Sequence, residues 1–346
     1  MIFLNDFFVL FFNLKIKNLK TSRIKNLESK MRKSGLLLFA LLFASSYQQQ
    51  VLGLEISDNS DYSDAFVEPY PVVLLHGITS DKTELSGVAN WLIERLPAGR
   101  KIFNLEIGNG KRNSLFKTMD WQLTELCYTI YNMPELEQGF HFIGMSQGGL
   151  LARGYVERCN RFPVRNLITW VSPHAGVYGF NEIYFDWEKV YTPFYQNLYS
   201  FAGYWKDPFQ YEVYLANSTF LPYLNNESPL LEDYSKYGFD FLQNRKNMLS
   251  LDNFVMIWSA ADDVITPPQS GKFEFYKSSE LFDDDNDPYP VENFFNSAQY
   301  LYDLLGLRTL YETGRLHMLE TNCTHSGHKT PLCFPQLETL TFGFLV

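Results

Sequence analysis

The pentapeptide Gly144-Met145-Ser146-Gln147-Gly148 constrains this chain more than any other stretch. Before it stands Gly139-Phe140-His141-Phe142-Ile143, an apolar run of strand length; after it, Gly149 to Cys159 reads as a helix. A serine at such a turn has a mechanical meaning. The turn is tight, neighbouring side chains must be nearly absent, and the hydroxyl is pushed out at the end of the sheet above a helix N-terminus. The pentapeptide alone would also fit a Gly-rich turn without chemistry. The flanking strand and helix favour the nucleophile.

The surrounding pattern agrees. Pro71-Val72-Val73-Leu74-Leu75-His76-Gly77 is a continuous β-rich run, as a strand buried on both faces requires. A helix is expected over Ser86 to Arg95, a strand over Lys101 to Leu105, a helix over Trp121 to Tyr131 and a strand over Asn166 to Ser172. This alternation predicts an α/β architecture, a mostly parallel doubly wound sheet with right-handed crossovers. The alternation stops near residue 178, and 21 aromatic residues fall within 178–242. So aromatic a stretch is expected to be a helical lid inserted at about 178–250. Some of its rings would form its own core, and others a greasy wall over the serine. The sheet resumes at Phe254 to Trp258. A helix is expected to end over Tyr300 to Gly306, a last strand over Arg315 to Leu319, and a final helix from about Pro335.

A serine hydroxyl needs a base within hydrogen-bond reach, and that imidazole needs an acid to fix its tautomer. The chain order expected on this architecture is serine, acid, histidine. Ser146, Asp262 and His325 satisfy it, with Asp263 and His328 as alternatives for the acid and the base. Alternation of side chains implies that only one of the two acids points at the histidine. His317 falls within a strand and reads as structural. His141 and His174 come too early in the chain, and His76 is expected to order its own loop. The oxyanion of an acyl-transfer intermediate needs two N–H donors. Gln147, directly after the nucleophile, and Ile78, just past His76-Gly77, are the expected main-chain donors. This chemistry calls for no metal or cofactor. The four cysteines, Cys127, Cys159, Cys323 and Cys333, contain no C-x-x-C pair, which argues against zinc, while Cys323 and Cys333 are close enough to clip one loop.

Net charge is −10, but residues 1–50 hold eight basic and two acidic side chains, leaving a balance of −16 on the rest. So acidic a body lacks the footprint of a nucleic-acid binder and suits an acidic compartment. Residues 1–30 read as an upstream extension, with Met31 as the start of translation. Residues 31–50 read as a signal peptide: Arg32-Lys33, an apolar Leu36 to Phe43, then Ala44-Ser45-Ser46. That apolar run is too short for a lasting membrane span, although a retained signal anchor is the alternative. Residues 51–346 are then one domain. After a signal peptide, the sequons at Asn217 and Asn226 become glycosylation candidates; a third, at Asn322, lies beside the proposed base.

These residues resemble the palmitoyl-protein thioesterases over most of 70–330. The most specific stretch is Pro134 to Arg158, where Gln138-Gly139 leads into Ile143-Gly144-Met145-Ser146-Gln147-Gly148-Gly149; Ser-Gln-Gly-Gly is a hallmark of that family. Also similar are the His-Gly loop, Ala175-Gly176-Val177-Tyr178-Gly179, the Asn217 sequon, and Asp262 to Pro267 followed by Phe275-Tyr276. The resemblance implies an α/β-hydrolase fold, the triad Ser146, Asp262 and His325, and lysosomal removal of fatty acyl groups from protein cysteines during degradation. S-acylated proteins or peptides, or acyl-CoA, would be substrates. The family's early paired cysteines are missing here, and the His325 loop is less similar than the other motifs. Two other classes fit the same residues: a secreted lipase or carboxylesterase, and a lid-dominated lipid-binding protein without catalysis.

Overall fold

The computed structural model describes residues 69–179, 186–227, 241–277 and 289–345. The expected upstream extension and signal peptide lie outside them. Residues 69 onward fall within one unit, Val67–Val346.

Strand β1 (Val72–Leu75) leads through a short 3-10 turn to helix α1 (Ser86–Arg95), then β2 (Ile102–Leu105), α2 (Gly110–Phe116) and α3 (Met119–Tyr131). Helix α3 starts two residues before the expected Trp121 because Thr118 caps it, its hydroxyl accepting from Trp121 N at 3.2 Å. Strand β3 (Phe140–Met145), helix α4 (Gln147–Arg158) and strand β4 (Val164–Trp170) follow. Strand β4 stops before the expected Ser172, because Val171 takes a φ of 44° that no strand accommodates.

The lid comes next. Its described helices are short: α5 (Pro193–Leu198), α6 (Tyr211–Asn217), α7 (Leu221–Leu224) and α8 (Phe241–Met248). Its rings pack on one another as expected, with Trp187 stacked on Trp205 at 4.1 Å and Tyr178 against Trp205 at 5.3 Å. A buried charge pair that the sequence reading did not anticipate ties this lid to the sheet layer. Arg153 on α4 pairs with Glu157 at 2.9 Å and donates to Asn225 Oδ1 at 2.7 Å, with its guanidinium 5.0 Å over the Phe273 ring. Asn225 in turn donates to His174 O at 3.0 Å.

Strand β5 (Asn253–Ser259) re-enters the sheet, and an unanticipated two-residue ladder, β6 (Phe275–Tyr276) with β7 (Val291–Glu292), leads outward. The expected helix end at Tyr300 to Gly306 is instead a short α9 (Ala298–Leu301). Gly306, at φ 82°, then opens α10 (Leu307–Glu312). Strand β8 (Leu316–Thr321) and helix α11 (Phe334–Thr341) close the described chain.

The six long strands form one sheet in the order β2-β1-β3-β4-β5-β8, every pair parallel. Their side chains alternate between two cores. Val73, Phe142, Leu167 and Met256 face the larger one; Val72, Ile143, Trp170 and Ile257 face the other, beneath α1 and α11. Both faces are therefore covered, which explains why β1 and β3 are buried at every position. Because all six strands run one way, the loops after β1, β3, β5 and β8 emerge at one edge. Among the described residues, no helix is long and apolar enough to cross a membrane.

Candidate active site

Ser146 sits between β3 and α4 with φ 56° and ψ −128°, a conformation that non-glycine residues rarely adopt. Two hydrogen bonds hold it there: Ser146 N donates to Trp170 O at 2.8 Å, and Gly149 N donates to Ser146 O at 2.9 Å. The glycines around it are required by close approach. A Cβ on Gly144 would stand 2.5 Å from Gly148 O, and one on Gly149 would stand 2.7 Å from Ser172 Cβ and overlap its hydroxyl. A Cβ on Gly148 would stand 2.5 Å from Leu75 O. The loop after β1 is pressed onto the nucleophile, since a Cβ on Gly77 would come within 3.0 Å of Ser146 Cβ.

Asp262 and His325 are joined directly. His325 Nδ1 lies 2.9 Å from Asp262 Oδ2 and 3.1 Å from Oδ1. The carboxylate is held in turn by the main-chain N–H groups of Val264 and Ile265, each 2.9 Å from Oδ1. With Nδ1–H given to the acid, Nε2 is the nitrogen left to take a proton. Asp263 is not a bystander. Its Oδ1 accepts from His325 N at 3.1 Å, so both neighbouring acids reach the histidine, one through the ring and one through the backbone. The expectation that only one could do so overlooked the main chain. Among the described residues no hydrogen bond joins Ser146 Oγ to His325, so the structure pairs acid with base and sets the serine at the same sheet edge.

The other histidines are accounted for. His328, the rival base, is fully buried with both nitrogens engaged, Nε2 at 2.8 Å from Thr321 Oγ1 and Nδ1 at 2.8 Å from Thr324 O. His174 meets Thr169 Oγ1 at 2.8 Å, and burial holds its pKa well below the usual range. His141 contacts Asn166 Nδ2 at 3.1 Å and is pushed down to about 4, chiefly by burial. His317 reaches Asn253 Oδ1 at 2.9 Å across β5 and β8. His76 bonds Gly77 O at 2.9 Å, within its own loop.

Gln147 opens α4 and Ile78 follows Gly77. Among the described residues, neither main-chain N–H donates a hydrogen bond to another main-chain group. The cysteines pair as Cys127–Cys159, joining α3 to the end of α4, and as the anticipated Cys323–Cys333, whose ring encloses His325. Of the two candidate glycosylation sites, Asn217 is exposed at the end of α6. Asn226 is not a suitable acceptor. It is 4% exposed with φ 53°, and its Nδ2 donates to Leu304 O at 2.8 Å, so the nitrogen that would carry a glycan is buried and engaged.

Comparison with known proteins identifies the family. The family model described as palmitoyl protein thioesterase matches residues 71–325. Palmitoyl-protein thioesterase 3 of Dictyostelium discoideum is 36% identical over 282 residues, covering 80% of this chain and 92% of that protein. Palmitoyl-protein thioesterase 1 of Caenorhabditis elegans is 30% identical, covering 74% and 86%. The lysosomal thioesterase PPT2 homolog of Drosophila melanogaster is 32% identical, covering 71% and 82%. Among solved structures, a monoacylglycerol lipase of Paleococcus ferrophilus superposes with a TM-score of 0.43 at 15% identity, covering 80% of this chain and 95% of that one. The chain, an α/β-hydrolase by its parallel sheet and serine turn, belongs to the palmitoyl-protein thioesterase family.

Proposed function

We propose that this protein is a lysosomal palmitoyl-protein thioesterase, a serine hydrolase that removes long-chain fatty acyl groups from cysteine thioesters of proteins. The observation that carries the reading is the Asp262–His325 pair, with Nδ1 bonded to the carboxylate, at the sheet edge where Ser146 is held in its strained turn. His325 Nε2 takes the Ser146 proton as Oγ attacks the acyl carbonyl. The N–H groups of Gln147 and Ile78 stabilise the oxyanion. Collapse breaks the carbon–sulfur bond, and His325 returns its proton to the departing cysteine thiolate. Water, deprotonated by His325, then attacks the acyl-serine; the proton returns to Ser146 and the fatty acid is released. The aromatic lid supplies an apolar wall for the acyl chain, worth roughly 0.8 kcal/mol for each methylene buried. Asn217 remains a proposed glycan acceptor.

Hydrolysis of a palmitoyl thioester and its matched oxyester, at mildly acidic and neutral pH, tests this. A thioester preference that disappears in Ser146→Ala is expected. Oxyester preference would make the protein a lipase or carboxylesterase, and full turnover in Ser146→Ala would sink the serine mechanism.

A further inference from the structure

The side chain of Gln147 is engaged as fully as its main chain is free. Its Oε1 accepts from Tyr204 OH at 3.0 Å. Its Nε2 donates to Ser114 O at 2.9 Å and to Gln122 Oε1 at 3.1 Å. Ser114 O is itself a junction, accepting also from Ser200 Oγ at 2.7 Å and from Gln122 Nε2 at 3.3 Å. Ser114 Oγ accepts from Ser80 N at 3.3 Å, two residues beyond Ile78. Ser200 N donates to Leu115 O at 2.9 Å, which fastens the lid backbone to α2. Ser114, Gln122, Gln147, Ser200 and Tyr204 are each no more than 4% exposed.

Three parts of the fold therefore meet at one amide. The start of α4 carries the Gln147 N–H. The loop after β1 carries the Ile78 N–H and is tied in through Ser80. The lid is tied in through Ser200 and Tyr204. Packing alone would be served by apolar side chains, because a buried polar network is costly unless every member is paired. What this network adds over an apolar contact is orientation, since three of the amide's four hydrogen-bonding positions are filled and it cannot rotate.

We infer that Gln147, Ser114 and Tyr204 form a positioning device that couples the seating of the lid to the geometry of both oxyanion donors. Ser114 and Tyr204 act as positioning residues for the hydrolysis. The inference rests on the serine-hydrolase reading. A lid seated on Tyr204 and Ser200 holds the first turn of α4 and the β1 loop at the spacing an oxyanion needs; a displaced lid releases both.

The test is kinetic, on the full chain, with butyryl and palmitoyl thioesters. Tyr204→Phe removes one hydroxyl and keeps the ring. It is expected to lower kcat roughly tenfold on both substrates, the worth of one hydrogen bond realised in the transition state, with KM little changed; the unpaired Gln147 Oε1 lowers the thermal midpoint by a few degrees, leaving the enzyme folded at assay temperature. Gln147→Ala keeps the main-chain donor and should lose at least as much. In that background Tyr204→Phe should cost nothing further, because its only route to the site is gone. A loss confined to KM for palmitoyl thioester would make Tyr204 part of the acyl wall and overturn the coupling. So would a lowered midpoint with unchanged kcat, or additive losses in the double variant. Activity surviving in Ser146→Ala would instead overturn the hydrolase reading beneath it.

Discussion

Gly148→Ala puts the close approach of helix and strand to a quantitative test. Gly148 lies in the first turn of α4, where helix propensity alone favours alanine by about 1 kcal/mol. The structure predicts the opposite outcome. The new Cβ would overlap His76 O and stand 2.5 Å from Leu75 O, whereas ordinary contact begins at 3.4 Å, so one partner must retreat by about 1 Å. Strand β1 cannot readily do so, being fully buried and paired with β2 on one side and β3 on the other. Either the first turn of α4, which carries the Gln147 N–H, or the His76 loop, which leads to the Ile78 N–H, must move instead. An oxyanion donor works at roughly 2.7–3.1 Å, so a shift of about 1 Å removes it, and loss of one such donor costs about 10²- to 10³-fold in kcat. Overpacking adds about 1–3 kcal/mol of destabilisation. The assay is kcat on palmitoyl thioester per fluorophosphonate-titrated site, with thermal unfolding alongside. Gly87→Ala, where a Cβ meets nothing within 4 Å, serves as the control and should keep full activity. A folded Gly148→Ala enzyme with kcat within threefold of the parent would refute the argument.

Two further outcomes are expected. Arg153→Met removes the hydrogen-bonded cation beside buried Glu157, whose pKa burial already pushes up to about 7, and cuts the link to Asn225, so urea unfolding should show a loss of about 3–5 kcal/mol; a loss under 1 kcal/mol would mean the pair does not anchor the lid. His141, held near a pKa of about 4 by burial, makes stability fall with acidity. The unfolded chain takes up its proton as pH drops through about 6.5 and the folded chain does not until about 4, so up to roughly 3 kcal/mol is lost across that window and none further below it. Urea midpoints at pH 7 and 4.5 should differ less in His141→Gln; an unchanged difference would remove His141 as the cause.

Much of the site was legible because its signals are local. Glycines spaced around Ser146 announce a turn that tolerates no side chains, and acids after a late strand announce Asp262. What escaped depends on contacts between distant segments. Helix α2, Gly-Lys-Arg-Asn-Ser-Leu-Phe, has no apolar stripe of its own; it is held by Ser114 and Leu115 bonding to Gln147 and Ser200. Arg153 and Glu157, four apart on a helix, carry no sequence sign of burial; Asn225, His174 and Phe273, all distant in the chain, close over Arg153. Asp263 acts on His325 through a backbone amide, which no side-chain pattern encodes. Asn226 fits a glycosylation motif that its buried, left-handed position denies.

His325 follows β8, an edge strand of the sheet, and this has a consequence in time. During synthesis Ser146 leaves the ribosome 179 residues before His325, and Asp262 63 residues before it. Strand β8 can dock only on a β5 already in place, and the Cys323–Cys333 ring closes later still. A partly made chain, or one cut short before residue 325, thus holds the shaped turn at Ser146 and the carboxylate of Asp262 without the imidazole that the proposed mechanism needs, and is expected to be inert toward thioesters.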